Sequence, residues 1–181
     1  MIKPQVLSVS ISPTHSMAKM VQSEIKLLTG IGIEGDVHSG DKVKHRSRLF
    51  KKPLAPNLRQ VHLIHWELLE ELNLKGFKIS PGQMGENMTT KNIDILNLPT
   101  NTLLTIGKEA LIQITGLRNP CTQLDGIQKG LMKAVLDKDD EGNLIKKAGV
   151  MAIVLKGGLV KPGDEIVVKL PALPYTKLMP V

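Results

Sequence analysis

The chain has 181 residues, 24 Lys and Arg against 17 Asp and Glu, a formal net charge of +7 and a single Cys. That length suits one domain, and a lone cysteine excludes an internal disulfide framework and fits a reducing compartment. The basic balance points to an anionic partner: a phosphorylated small molecule, an acidic protein or nucleic acid.

Two Phe, one Tyr and one Trp leave an aliphatic core and few rings on which bases could stack, which disfavours nucleic acid. No apolar run approaches the ~20 residues of a membrane span. Met1-Ile2-Lys3-Pro4-Gln5-Val6 has no apolar signal-peptide region. A cytoplasmic protein without membrane partners is expected.

In chain order, Val6 to Ile11 alternates apolar and polar residues and reads as a strand ended by Ser12-Pro13. Met20 to Leu28 fits helical or strand spacing, and the Gly30-x-Gly32 boundary favours a strand. Gly30 to Gly40 holds four glycines in eleven residues, which permit unusual φ values and close approach of a ligand to the backbone. Asp36 and His38 within it suit contact with a ligand, a metal or each other. A plain turn with a solvated Asp and His fits as well, because the spacing matches neither a Rossmann nor a P-loop motif.

Lys42 to Lys52 carries Lys42, Lys44, His45, Arg46, Arg48, Lys51 and Lys52 without an apolar period, closed by Pro53 and Pro56. It reads as an exposed basic loop: a solvated face, or a lid over an anionic ligand. Arg59 to Ile64 reads as a strand and Trp66 to Leu74 as a short helix with Leu68, Leu69 and Leu72 on its apolar face. His62-x-x-His65 is not read as a zinc pair. Residues three apart on a strand face opposite ways, and no second ligand pair accompanies them.

Ser80 to Thr89 is a second glycine-rich loop. Asn87, beside Gly85 and Glu86, can donate and accept hydrogen bonds to a polar ring, or cap local backbone groups. Leu103 to Ile106, Leu111 to Thr115, Val150 to Leu155 and Glu165 to Leu170 read as strands, with a compact turn at Gly107-Lys108-Glu109. Leu124, Ile127, Leu131 and Val135 follow helical spacing, although Gly126 and Gly130 each weaken such a helix by about 1 kcal/mol relative to alanine. Asp137 to Asn143 reads as a charged loop, and Pro171 to Val181 as an extended, proline-containing tail. A mainly β chain with peripheral helices follows, its sheet closed or strongly curved to protect its edges.

One short stretch concentrates the chemistry. Ile114-Thr115-Gly116-Leu117-Arg118-Asn119-Pro120-Cys121-Thr122 joins a strand-like run to a helix-like run and holds the one thiol. Pro120 stiffens the approach to Cys121. A helix starting near Thr122, with Arg118 three residues before the sulfur, would favour a thiolate. A small buried hydrophobe is the alternative use of such a cysteine.

These motifs together resemble the MOSC domain, the C-terminal domain of molybdenum cofactor sulfurases. The resemblance runs in order through Gly32-Ile33-Glu34-Gly35-Asp36-Val37-His38-Ser39-Gly40, Arg59-Gln60-Val61, Pro81-Gly82-Gln83-Met84-Gly85-Glu86-Asn87, Arg118-Asn119-Pro120-Cys121 and Gly157-Gly158-Leu159-Val160-Lys161-Pro162-Gly163-Asp164. It covers about residues 5 to 170, a single domain over residues 1–170 followed by the tail, and is closest to the small stand-alone members. Met84 stands where many members carry an aromatic, and Met88 where leucine is usual.

The resemblance implies a β-barrel-centred fold and a molybdenum cofactor (molybdopterin) site, without pyridoxal phosphate. Cys121 would ligate the metal or carry sulfur as a persulfide. Arg59 and Arg118 would bind anionic groups, and Asp36, His38 and Asn87 would recognise the pterin or orient the ligand shell. Some relatives reduce N-hydroxylated compounds with electron-donor partners. The activities this implies are such a reductase, or a carrier of sulfur or cofactor served by an external electron- or sulfur-donor protein. A non-catalytic, basic anion-binding module is the remaining expectation from charge.

Overall fold

A computed structural model describes residues 2–42 and 55–181. Thirteen strands are named among them, and eight form the main sheet. Those eight are β1 (Gln5–Ile11), β2 (Met20–Gln22), β5 (Val61–His65), β6 (Met88–Lys91), β7 (Leu103–Ile106), β8 (Ala110–Leu117), β11 (Val150–Lys156) and β13 (Ile166–Lys169). Their spatial order is β13-β7-β8-β11-β5-β6-β1-β2. All neighbours are antiparallel except β5 and β6. The connection between that parallel pair carries helix α1 (Trp66–Leu74), as a parallel crossover requires.

The expected closed barrel is not formed. β13 meets β1 through a single bridge, Gln5 to Glu165, flanked by a few loop hydrogen bonds such as Val6 N–H to Asp164 O at 2.9 Å. The ladder therefore stops short of closure. Beside it lies a small sheet of β3 (Ile25–Leu28), β4 (Gly32–Ile33) and β12 (Gly158–Val160), ordered β12-β3-β4.

Burial explains why these segments are strands. In β8, Ala110, Ile112, Ile114 and Gly116 are buried while the alternate residues are half-buried, the signature of one face on the core. β5 is buried on both faces. Val61 and Leu63 pack in the main core with Val9, Ile112 and Val150. Ile64 packs in a second core with Leu68, Leu69 and Leu72 of α1. Each of those three leucines contributes on the order of 1.5–3 kcal/mol by leaving water, which fixes α1 against the sheet. His62 shares the strand face of Ile64, opposite to Leu63.

Three expectations differ from what is found. Met20 to Leu28 is two strands in different sheets, β2 and β3, broken at Ser23-Glu24. The charged segment from Asp137 is a hairpin, β9 (Leu136–Lys138) with β10 (Leu144–Lys146). The helix expected after Cys121 is a 3₁₀ turn, Thr122–Gly126, and one helical turn, α2 (Leu131–Ala134). Gly130 between them sits at φ 89°, outside helical geometry. Leu124, Leu131 and Val135 are buried all the same, so the apolar spacing marked core positions rather than one helix.

The tail lies extended against β8. Leu178 is buried, Pro180 bridges to Leu117, and Leu117 N–H donates to Met179 O at 2.9 Å. Gly116 makes room for it: a Cβ there would stand 2.3 Å from Met179 O.

Candidate functional site

A cleft of about 150 Å³ lies where the β1–β2 loop, the Asp36–His38 turn, β5, the Gly82–Asn87 loop and the end of β8 converge. Its walls include His15, Met17, Lys19, His38, Asn57, Arg59, His62, Asn87, Arg118 and Gln123. The sequence-level candidates Arg59, Arg118, His38 and Asn87 thus come together. Asp36 sits directly behind them.

Asp36 is the anchor. Its Oδ2 accepts from Lys19 Nζ at 2.6 Å, Asn87 Nδ2 at 3.0 Å and the Ser12 backbone N–H at 3.2 Å. Its Oδ1 accepts from the His38 backbone N–H at 3.0 Å and lies 3.3 Å from His38 Nδ1. Burial opposes ionisation, but the His38 hydrogen bonds and the Lys19 charge outweigh it and hold the carboxyl well below the usual carboxylate range. Burial likewise pulls Lys19 below its ordinary value, against Asp36 and Glu86.

Asn87 completes a cross-brace. Its Oδ1 accepts from the His62 N–H at 3.1 Å, and its Nδ2 also donates to Ser10 O at 3.2 Å. Its backbone pairs with His62 O and Ser10 N–H, both at 2.8 Å. Asp36 and Asn87 therefore spend their hydrogen bonds on holding loops and strands together. His62 is fully buried with Nε2 2.8 Å from Ala148 O. Burial, and then Arg118, push its pKa well below the ordinary value, which favours the neutral ring.

Two glycines mount the β1–β2 loop. Gly82 and Gly85 both have φ 85°. A Cβ on Gly82 would stand 2.6 Å from Lys19 O, and one on Gly85 2.9 Å from Met17 O. Only glycine accepts both the positive φ and that approach. Glu86, directly after Gly85, is buried, and burial pushes its carboxyl up although Gly82 N–H donates to Oε1 at 2.6 Å.

Arg118 leaves β8 with its N–H on Gly149 O at 2.9 Å. The residue as a whole is half-buried, but Nη1 is shielded from solvent and has no hydrogen-bond partner among the described residues. Nη2 donates to the thioether of Met17 at 3.6 Å. Burial lowers its pKa, while Cys121 and Glu86 raise it. Arg59 donates through Nη2 to Val181 O of the tail.

Cys121 follows the buried Pro120 in extended conformation, φ −138° and ψ 165°. It is half-buried beside the cleft, and its Sγ donates to Gln123 Oε1 at 3.6 Å. The expected helix N-terminus is only the 3₁₀ turn, so the fixed charge at the thiol is Arg118 rather than a helix dipole. Among the described residues no three His, Cys, Asp or Glu side chains cluster to hold a metal ion. A metal at Cys121 would have to bring other ligands with it.

Lys19, Met17, His62 and Gln123 were not singled out in the sequence as site residues. Lys19 stands 17 positions before Asp36, and Met17 101 before Arg118, so only the fold pairs them. The basic loop expected at Lys42 to Lys52 falls outside the described residues beyond Lys42, which bridges to Pro56. No helix among the described residues is long and apolar enough to cross a membrane.

Comparison with solved structures gives the same fold. The YuaD protein from Bacillus subtilis matches at TM-score 0.75 and 24% identity, over 94% of this chain and 98% of that one. YiiM from Geobacillus stearothermophilus matches at TM-score 0.67 and 17% identity, over 96% and 79%. YiiM from Escherichia coli matches at TM-score 0.63 and 20% identity, over 97% and 74%. No curated protein sequence matches significantly. The family model of the MOSC domain matches residues 34–167, a span that holds Asp36, His38, Arg59, Asn87, Arg118 and Cys121. The chain therefore belongs to the MOSC domain family, which is associated in general with binding of the molybdenum cofactor.

Proposed function

We propose that the chain binds the molybdenum cofactor at the Arg118 cleft and reduces N-hydroxylated compounds, with Cys121 as the protein's thiolate ligand to the metal. One observation carries this reading. Arg118 lines the cleft with a shielded Nη1 that has no partner among the described residues, three positions from the one thiol. A guanidinium offers five N–H donors in a planar fork suited to phosphate, and leaving such a group shielded and unpaired is costly. The residues present therefore fit an anionic ligand with a soft, sulfur-rich metal beside it.

Arg118 and Arg59 would hold the anionic groups. Asp36 and Asn87 would act at one remove, holding Lys19, His38 and His62 in the cleft wall, where His38 faces the ligand. When bound, the cofactor supplies two-electron redox chemistry at its metal. A single cysteine cannot carry a Cys₄ iron–sulfur cluster, so this reading draws electrons from an external donor protein.

A second reading, a sulfur carrier, is favoured by the place of Cys121. Its sulfur contacts Gln123 of the cleft wall, yet the residue itself stands beside the cleft, half-buried. A thiolate there could take sulfur from a donor persulfide, breaking the donor S–S bond as the new one forms.

Turnover separates the two. Protein from a cofactor-making host should reduce an amidoxime with a reduced viologen as electron source, and Cys121→Ser should abolish it. Undiminished turnover by that variant would overturn the assignment. One added sulfur on Cys121, without turnover, would select the carrier.

A further inference from the structure

The Arg118 guanidinium has a thioether where an oxygen acceptor would be expected. Met17 lines the cleft, and its sulfur accepts from Arg118 Nη2 at 3.6 Å while Nη1 has no partner among the described residues. A thioether is a weak acceptor. The loop that carries Met17 is fixed, since Lys19 N–H donates to Gly82 O at 2.8 Å, and Gly85 packs so closely that a Cβ would stand 2.9 Å from Met17 O and 3.4 Å from its sulfur. Met17 is half-buried in a wall that solvent reaches, whereas Met84 and Met88 are fully buried.

We propose that Met17 is a site of reversible oxidation, at which a peroxide converts the thioether to a sulfoxide whose oxygen takes the place of an anion on Arg118. A sulfur lone pair forms the S–O bond as the peroxide O–O bond breaks. Sulfur loses two electrons and the peroxide gains them. The proton of the transferred oxygen passes to the departing oxygen, which leaves as water. In this proposal the Arg118 guanidinium, whose Nη2 lies 3.6 Å from the sulfur, donates to that departing oxygen and so favours the step. The product replaces a weak acceptor with a polar S–O oxygen, and an incoming anion then loses its donor. The consequence for the cofactor rests on the function proposed above; the oxidation itself does not.

The test uses the full chain carrying Cys121→Ser, so that thiol oxidation does not contribute. It is treated with hydrogen peroxide and peptide-mapped over time, with inorganic phosphate binding measured by calorimetry before and after. Met17 should gain one oxygen well before Met84 and Met88, and at least as fast as Met20 and Met179, which are 63% and 67% exposed. Arg118→Leu should slow Met17 below those two. Phosphate affinity should fall about tenfold on oxidation, a loss of ~1.4 kcal/mol, and a methionine sulfoxide reductase should restore it. In Met17→Leu the affinity should be the same before and after peroxide. The proposal is overturned if Met17 stays unmodified while Met20 and Met179 oxidise, or if the unoxidised chain binds no phosphate. It is equally overturned if oxidation leaves the affinity unchanged, or if Met17→Leu loses as much. These readouts need neither molybdenum nor turnover, so their failure is distinct from failure of the reductase reading.

Discussion

Two ion pairs of similar length carry different weight. Lys3 and Glu165 lie 2.9 Å apart with side chains 69% and 48% exposed; Lys19 and Asp36 lie 2.6 Å apart at 3% and 2%. In water the first is worth roughly 0–1 kcal/mol. Breaking the second leaves a buried charge unpaired and costs about 3–5 kcal/mol. Lys19→Met should therefore lower unfolding stability in urea by about that amount, while Lys3→Met should change it by less than ~1 kcal/mol; equal effects would contradict the geometry.

His62 gives a pH signature. Its folded pKa is depressed, chiefly by burial and then by Arg118. Below about pH 6.5, the ordinary histidine value, the unfolded chain takes a proton that the folded chain refuses. Stability is then full above that value and falls as pH falls. His65, also depressed by burial, adds in the same direction. Asp36 acts in a lower window, from the ordinary carboxylate value near pH 4 downward, because its folded pKa is depressed too. Urea midpoints from pH 7.5 to 5.5 should decline, and less so in His62→Gln; an unchanged slope would sink the assignment to His62.

At the scale of elements, the cleft is made by loops pressed onto one another at glycines. Gly149, at φ 93°, leads into β11 with no room for a side chain: a Cβ would stand 2.2 Å from Leu63 O and 2.9 Å from His62 Nε2. Gly149→Ala should push His62 off Ala148 O and cost about 2–3 kcal/mol, the range for overpacking and strain. A near-neutral melting temperature would contradict it. The elements themselves were unevenly legible in the sequence. Trp66–Leu74 has three leucines at helical spacing, and the strands β1, β7, β8 and β11 alternate or run apolar. β6 and β12 were hidden, because Met88–Lys91 is short with a single apolar residue and Gly158–Val160 opens on glycine. Their strand form comes from ladder partners far along the chain, which no local pattern encodes.

Over the whole molecule, the candidate site was half legible. Arg118, Pro120 and Cys121 stood out because one segment holds them. Asp36, His38 and Asn87 stood out because glycines surround them, and the sequence left open ligand contacts, an Asp36–His38 contact or backbone capping by Asn87; in the fold Asp36 and Asn87 bond to each other, to Lys19, to His38 and to backbone. Lys19 and Met17 carried no signal, since their partners are reached only by folding. Closure of the sheet was overread: the strand tally left a closed or strongly curved sheet and the family resemblance implied a barrel, but β1 and β13 share a single bridge.

The most direct test of the central claim is molybdenum content by elemental mass spectrometry, after purification from a cofactor-making host, for the parent chain, Cys121→Ser and Arg118→Leu. A near-stoichiometric metal in the parent, lost in Cys121→Ser and strongly reduced in Arg118→Leu, is the predicted result. Metal retained equally in all three, or absent from a parent purified with the cofactor protected from loss, would contradict a molybdenum site built on Arg118 and Cys121.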